Sequence, residues 1–237
     1  MKQKLLTAED VEDYKSSVDN YHPSGEVVIN FARSNFTVIA GPTGAGKDTL
    51  RNKLLLDPSY IKILSTTSRP MREGEQEGVE YHFRPLEFFD QGLEEKRFLQ
   101  IALVHNQQLS AMDFNDIASL GSGQIGISIL VVQTEIELRR LNSSIKVVFV
   151  TPPSLEVLKQ RIQNERIMDK DELARRMQAA KIELEIAVKQ PTYFCVVNDD
   201  IDRVAIIAST YLKTGVRDES EDYNARQIIK QLLSELV

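Results

Sequence analysis

Phe36-Thr37-Val38-Ile39-Ala40-Gly41-Pro42-Thr43-Gly44-Ala45-Gly46-Lys47-Asp48-Thr49 decides the fold of this chain. Five apolar, β-favouring residues run directly into a glycine-rich turn, and Lys47–Leu56 then takes helical spacing. Gly41-x-x-x-x-Gly46-Lys47 between a strand and a helix is the P-loop arrangement. The spacing has a physical reason. Glycines let the backbone curl so that successive N–H groups point at phosphate oxygens, and the helix N-terminus adds partial positive charge. The Lys47 ammonium then reaches the outer phosphates. Residues Gly41, Pro42, Thr43, Gly44, Ala45, Gly46, Lys47, Asp48 and Thr49 are therefore expected to hold ATP.

Outward from this turn, the apolar runs Ile61–Leu64, Ile127–Val132, Ile145–Val150 and Tyr193–Val197 read as further strands. Helical periodicity fills Ser154–Gln163, Asp171–Lys189 and Asp200–Leu212 between and after them. Strand and helix in alternation predict an α/β fold with a doubly wound parallel sheet. The alternation breaks over Tyr81–Gly123, which predicts a small inserted lobe spanning about residues 66–124. Residues 1–35 read as an N-terminal extension with Thr7 as a helix N-cap and Asp10 three residues on. Residues 36–213 read as the P-loop domain, and 214–237 as a tail carrying Ile228, Ile229, Leu232, Leu233 and Leu236 at helical spacing.

At 237 residues, 42% of them hydrophobic, the chain suffices for one sizeable α/β domain. No apolar run approaches bilayer length, and the N-terminus leads into acidic residues, so a cytoplasmic protein without membrane contact is expected. Cys195 is the single cysteine and cannot form an internal disulfide; it reads as a buried strand residue. A net charge of −6 argues against a nucleic-acid partner, while leaving room for local basic clusters that grip one small phosphorylated molecule. The oligomeric state is not legible.

A P-loop supplies a donor and leaves the acceptor open. Ser65-Thr66-Thr67-Ser68-Arg69-Pro70-Met71-Arg72-Glu73-Gly74-Glu75-Gln76-Glu77-Gly78-Val79-Glu80-Tyr81-His82-Phe83 gathers two arginines, a serine and a tyrosine. Guanidinium forks and a phenol hydroxyl suit a second phosphate, although a solvated polar loop would contain similar residues. The segment resembles the substrate-phosphate segment of guanylate kinases. Pro152-Pro153-Ser154-Leu155, Arg175-Arg176 with Ala179-Ala180, and Val196-Val197-Asn198-Asp199-Asp200 are similar to later signatures of that family, in the same order. The resemblance covers about residues 36–213. It implies that Ser65, Arg69, Arg72 and Tyr81 bind the acceptor phosphate of a small molecule, a nucleotide. It also implies that Lys47, Arg69, Arg161 and Arg176 surround the transferred group, that ATP and Mg²⁺ are used, and that about 154–189 form a lid. A further lid arginine is displaced: Arg166 stands one residue beyond the family position, which Glu165 occupies.

The base-reading positions depart from that family. Gln100 stands where the family has a glutamate for guanine, Leu109 replaces a tyrosine, and Ala111 replaces a base-binding serine. Ile129 and Val131 stand where the family has an Asp-x-Asp strand. A site built to hydrogen-bond one base discriminates by ~10⁴–10⁵ with every partner present, so Gln100, Ala111 and Val131 make GMP an expected poor substrate. Asp48 follows the loop lysine in place of the usual serine or threonine. It reads either as a first-turn carboxylate favoured by the helix dipole or as a magnesium ligand compensating for the missing strand carboxylates. Ribose 1,5-bisphosphate phosphokinases look similar in that respect. The sequence thus leads to an ATP-dependent phosphotransferase acting on a nucleoside monophosphate, with GMP specificity in doubt. A kinase for a sugar phosphate such as ribose 1,5-bisphosphate, and a non-catalytic module binding phosphorylated peptide, are the alternatives.

Overall fold

The computed structural model of the chain describes residues 5–165 and 169–236, without the side chain of Glu165. Among these residues the elements begin with α1 (Ala8–Asp19), α2 (Gly25–Phe31), β1 (Phe36–Ala40), α3 (Lys47–Leu54) and β2 (Tyr60–Lys62). There follow β3 (Thr66–Thr67), β4 (His82–Phe83), α4 (Leu86–Glu94), β5 (Phe98–Val104), β6 (Gln108–Asp113) and α5 (Phe114–Ala118). The chain continues through β7 (Ile125–Ile129), α6 (Val132–Leu141), β8 (Lys146–Thr151), α7 (Leu155–Glu165) and α8 (Lys170–Val188). It closes with β9 (Phe194–Val197), α9 (Ile201–Thr214) and α10 (Glu219–Glu235). Two compact units result. One holds the chain up to Asn35 with Lys62–Gly126 and Glu137–Ser144; the other holds Phe36–Ile61, Ile127–Ile136 and the chain from Ile145 onward.

The second unit is built on a sheet of order β2-β7-β1-β8-β9. β1 and β8 run parallel with Val38 opposite Val147 and Ile39 opposite Val148, and β8 and β9 run parallel with Val150 opposite Val196. Every residue of β1 is buried, as expected for a parallel strand covered on both faces. Strand order reverses at β1, so the loop after it lies at the topological switch point where such sheets bind ligands. This is the doubly wound α/β P-loop architecture the motifs predict. No described helix is long and apolar enough to cross a membrane.

The structure departs from the sequence expectation at several places, and the strand anticipated over Ile61–Leu64 lies at Tyr60–Lys62. The strand anticipated over Ile127–Val132 lies at Ile125–Ile129, and Val132 opens a helix instead. Val132, Glu135 and Leu138 are all fully buried, so packing at helical spacing overrides the β-branched preference of the Val131-Val132 pair. The N-terminal segment contains a second helix, α2, capped by Ser24 accepting the N–H of Val27. The apolar tail stripe folds onto its own unit, where α10 packs against β9, β8 and α8 with Ile229 and Leu232 buried.

The first unit centres on a sheet of order β4-β3-β6-β5. Leu6, Phe89, Phe98, Ile101, Leu109 and Ala111 form its apolar cluster, against which Val11, Tyr14, Val18 and Tyr21 of the N-terminal segment pack. Thr7 and Asp10 form the anticipated capping box of α1. The segment is fastened by polar contacts too. Leu6 donates its N–H to the Gln107 carbonyl at 2.9 Å, and the Tyr21 hydroxyl donates to the Phe98 carbonyl at 2.8 Å. Burial pushes the Tyr21 phenol up to about 12, so it stays a hydrogen-bond donor.

Gly92 in α4 tests how tightly that cluster is filled. A Cβ there would stand 2.0 Å from Phe98 Cζ, and the Phe98 ring is fully buried. Alanine gains about 1 kcal/mol of helix propensity over glycine, whereas overpacking costs typically ~1–3 kcal/mol. Gly92→Ala is expected to lower stability on balance, read as a reduced urea midpoint at unchanged slope.

Candidate functional site

The donor loop owes its path to glycine. Gly41 has φ +138°, and a Cβ on it would stand 2.2 Å from the Val150 carbonyl oxygen. Gly46, with φ +94°, forms the left-handed N-cap of α3. Lys47 Nζ donates to the Gly41 carbonyl at 2.5 Å and the Pro42 carbonyl at 2.9 Å, folding its ammonium back over the loop. Around the loop is a cavity of about 620 Å³ lined by Thr43, Gly44, Gly46, Lys47, Asp48, Thr49, Arg161, Asn164 and Arg176. The two lid arginines expected near the transferred group thus share one cavity with the loop lysine. Arg161 Nη2 donates to the Asn198 carbonyl at 3.1 Å, and Arg176 Nε lies 3.5 Å from Glu172 Oε1. Three cations with loop amides and a helix N-terminus give the cavity the chemistry of a polyphosphate site. Arg166, the displaced lid arginine, lies outside the described residues.

Sequence reading missed three neighbours of this cavity. Asn164 follows Arg161 by one helical turn on α7, a spacing that could have flagged it. Asn198, noted only as part of a motif, donates its Nδ2 to the Ala45 carbonyl at 2.7 Å. Glu183 on α8 is half-buried and carries no hydrogen bond or ion pair among the described residues. Burial pushes its carboxyl up to about 7, a rise that the nearby Lys47 charge only partly offsets.

Magnesium fits the residues at the loop. Mg²⁺ is commonly held through substrate phosphates, waters and one or two carboxylates rather than by an all-protein cage. Asp48 lines the cavity with a 75% exposed side chain; its Oδ1 pairs with Arg51 Nη2 at 2.9 Å, leaving Oδ2 for a cation. Among the described residues there is no cluster of three His, Cys, Asp or Glu that could hold a metal alone.

The residues expected to bind an acceptor phosphate lie in the first unit. Ser65 is half-buried next to β3, and its carbonyl accepts the His82 N–H at 3.0 Å. Arg69 is 5% exposed, with its guanidinium over the Tyr81 ring at 5.2 Å and the Phe83 ring at 5.3 Å. Both its terminal nitrogens meet the Glu75 carboxylate at 2.6 Å. That fork, with a bond from the Arg72 N–H, holds the Glu75 carboxyl down to about 2. Arg72 is exposed, and its guanidinium makes no hydrogen bond or ion pair among the described residues, although its charge favours the ionised Glu75. Arg72 is thus the open cation of the pair, while Arg69 orders the loop through Glu75. Of the three positions expected to set specificity, Gln100 is half-buried on β5 and Val131 is 55% exposed. Ala111 is 1% exposed within the apolar cluster, together with Leu109. Gln100 pairs with Met112, so Gln100 and Ala111 sit on opposite faces of the sheet.

The guanylate kinase family model matches residues 33–214 of this chain. The chain belongs to the guanylate kinase family. A guanylate kinase of Sulfurimonas denitrificans is 34% identical over 180 residues, covering 75% of this chain and 86% of the relative. One from Legionella pneumophila is 32% identical over 208 residues, covering 84% of this chain and 96% of its own. The crystal structure of guanylate kinase from Anaplasma phagocytophilum aligns with a TM-score of 0.58 at 22% identity. It covers 79% of this chain and 89% of that one, which supports the fold. The expected enzyme class, a guanylate kinase-like nucleoside monophosphate kinase, stands with that membership.

The desolvated Glu183 gives the family's fold a pH signature here. Its folded value lies above the ordinary 4.5, so its stabilising protonated state is fully present below about 4.5 and is lost as pH rises through about 7. Glu183→Gln, which keeps the neutral shape, should melt with the parent protein near pH 4.5 and above it at pH 8. Each kcal/mol recovered corresponds to roughly 2–4 °C, readable by calorimetry at the two pH values.

Proposed function

We propose that this chain transfers the γ-phosphoryl group of ATP to a nucleoside monophosphate in the cytoplasm, with GMP as the acceptor suggested by its relatives' names. The observation that carries the reading is the cavity in which Lys47, Arg161 and Arg176 meet at the phosphate loop. Residues 41–49 would hold the ATP phosphates through backbone N–H groups, and Lys47 would turn from the loop carbonyls to the outer phosphates. Arg161 and Arg176 would take the charge that develops on the transferred group. Phosphoryl transfer needs positioning and charge neutralisation more than a side-chain base. Magnesium bound with ATP supplies further neutralisation of the phosphate oxygens, with Asp48 as its protein ligand.

On the acceptor side, Arg72, the Tyr81 hydroxyl and Ser65 would bind the monophosphate, with Arg69 ordered by Glu75 behind them. The reaction leaves ADP and a nucleoside diphosphate. Base selection is proposed to be weak. An amide at Gln100 reproduces only part of what a carboxylate offers guanine, and a buried Ala111 and apolar Val131 offer nothing to a base edge. The comparisons lend no support to a poor GMP substrate, a sugar phosphate acceptor or a phosphopeptide-binding module.

ADP release measured over purine, pyrimidine and deoxy monophosphates plus ribose 1,5-bisphosphate tests this directly. GMP is expected to be turned over, with a margin over other purine monophosphates well below the ~10⁴–10⁵ of a fully furnished site. Lys47→Ala should abolish turnover; ADP release that no acceptor stimulates would sink the reading. In a magnesium titration of the same assay, Asp48→Ala should shift the midpoint upward, and an unchanged midpoint would remove Asp48 as a ligand.

A further inference from the structure

Helix α10 begins at Glu219, beyond the stretch that matches the family model. Its first turn turns two carboxylates inward, Glu221 and Asp222, each 8% exposed. They face β9, the outer strand of its sheet, whose edge N–H groups have no further strand to pair with among the described residues. Asp222 Oδ1 accepts the Cys195 N–H and Glu221 Oε1 accepts the Val197 N–H, both at 2.7 Å. Edge protection accounts for both of these bonds.

Each carboxylate makes a second connection, to an arginine. Asp222 Oδ2 accepts from Arg226 Nε at 2.8 Å, and Arg226 Nη2 holds the Tyr193 carbonyl ahead of β9, whereas Glu221 reaches the end of that strand. Glu221 Oε2 accepts from Arg203 Nη1 at 2.8 Å. Nη2 of the same guanidinium donates to the Val197 carbonyl at 3.0 Å and to Asp199 Oδ1 at 2.7 Å. Arg203 therefore grips the chain on both sides of Asn198. Asn198 is 6% exposed, and its N–H donates to the Thr151 carbonyl at 2.8 Å. Its side chain must present nitrogen to the Ala45 carbonyl in the phosphate loop, 2.7 Å away, because a carbonyl only accepts. Its own carbonyl receives Arg161 Nη2 at 3.1 Å. A Cβ on Gly46 would stand 2.1 Å from the Asn198 Nδ2, so loop and amide are fitted to each other. One residue thus fastens both the donor loop and a cavity arginine, and the strand end that carries it is held from α10.

We infer that Glu221, acting through Arg203, is a positioning residue that fixes Asn198 and thereby holds the phosphate loop and Arg161 in ATP-binding geometry. Neither Glu221 nor Arg203 lines the cavity. The Glu221 side chain is 9% exposed and Arg203 38%, so removing the guanidinium's anchor would leave a half-open cation held only by Asp199 and the Val197 carbonyl. The inference rests on the proposed use of the loop for ATP.

The experiment measures Mg·ATP binding by calorimetric titration without acceptor, together with the KM values for ATP and GMP. Glu221→Gln keeps the side-chain volume and an acceptor for Val197 but removes the charge that holds Arg203. Its ATP dissociation constant and ATP KM should rise roughly three- to thirty-fold, the range expected for coupling through a packed network, with the GMP KM unchanged. Asn198→Asp, which cannot donate to Ala45, should weaken ATP at least as much, and the double variant should be no worse than the weaker single. Asp222→Asn is the control. It perturbs the same helix turn and strand edge, so it should lower the melting temperature comparably and leave ATP affinity alone. Equal loss of ATP affinity in the Glu221 and Asp222 variants, or none in Glu221→Gln, would overturn the inference. Should Glu221→Gln fail to fold, Arg203→Lys, which cannot reach all three acceptors, is judged by the same outcomes. A Lys47→Ala protein that binds ATP as well as the parent would bring down the ATP reading of the loop, a separate failure.

Discussion

At Gly41 the backbone passes β8 so closely that an added Cβ would stand 2.2 Å from the Val150 carbonyl oxygen. The donor site depends on that approach. It brings the chain off the end of β1 at the point where strand order reverses, and turns the next five residues into a cradle before Lys47 enters α3. With the cradle in place, side chains from α7 and α8 complete a cavity that none of these elements forms alone. Asn198 then ties the loop at Ala45 to the end of β9. Rigid sheet, tight turn and convergent cations are one arrangement, because a loop free to sag would point its amides away from the phosphates.

In the first unit a different interaction sets the order. Arg69 gives both terminal nitrogens to Glu75, whose carboxyl is held down to about 2 and so stays ionised at any ordinary pH. The pair is largely buried and stacked beside Tyr81 and Phe83, so its value lies in shaping the loop more than in net stability. Arg72, beside it in the same loop, is left to solvent. Two arginines that look equivalent in sequence are thus separated by burial: one is enclosed with its carboxylate, and the other is open to solvent.

The apolar residues at 109 and 111 have a packing explanation. Leu109 and Ala111 share a cluster with Leu6, Phe89 and Phe98, closed over by the N-terminal helix. A hydroxyl placed among such neighbours would need a buried partner, whereas methyl and isobutyl groups fill the space.

The sequence by itself determined the P-loop and its flanking strand and helix, the order of the α/β alternation, and the family, because these signals are local: glycine at fixed spacings, one lysine, arginines within a short segment. It also marked Arg161 and Arg176 through motif order. It placed β7 two residues late and missed α6, since Val131 and Val132 favour strand locally and only burial of Val132 and Leu138 at helical spacing decides otherwise. Tertiary structure alone decided which arginine Glu75 occupies, how far burial lifts Glu183, and that Ala111 and Gln100 face apart. It alone brought Glu221 to Val197, 24 residues away, and through Arg203 to Asn198 and the donor loop. Those facts depend on what a side chain meets after the chain has closed on itself, and spacing along one strand of sequence carries no record of it.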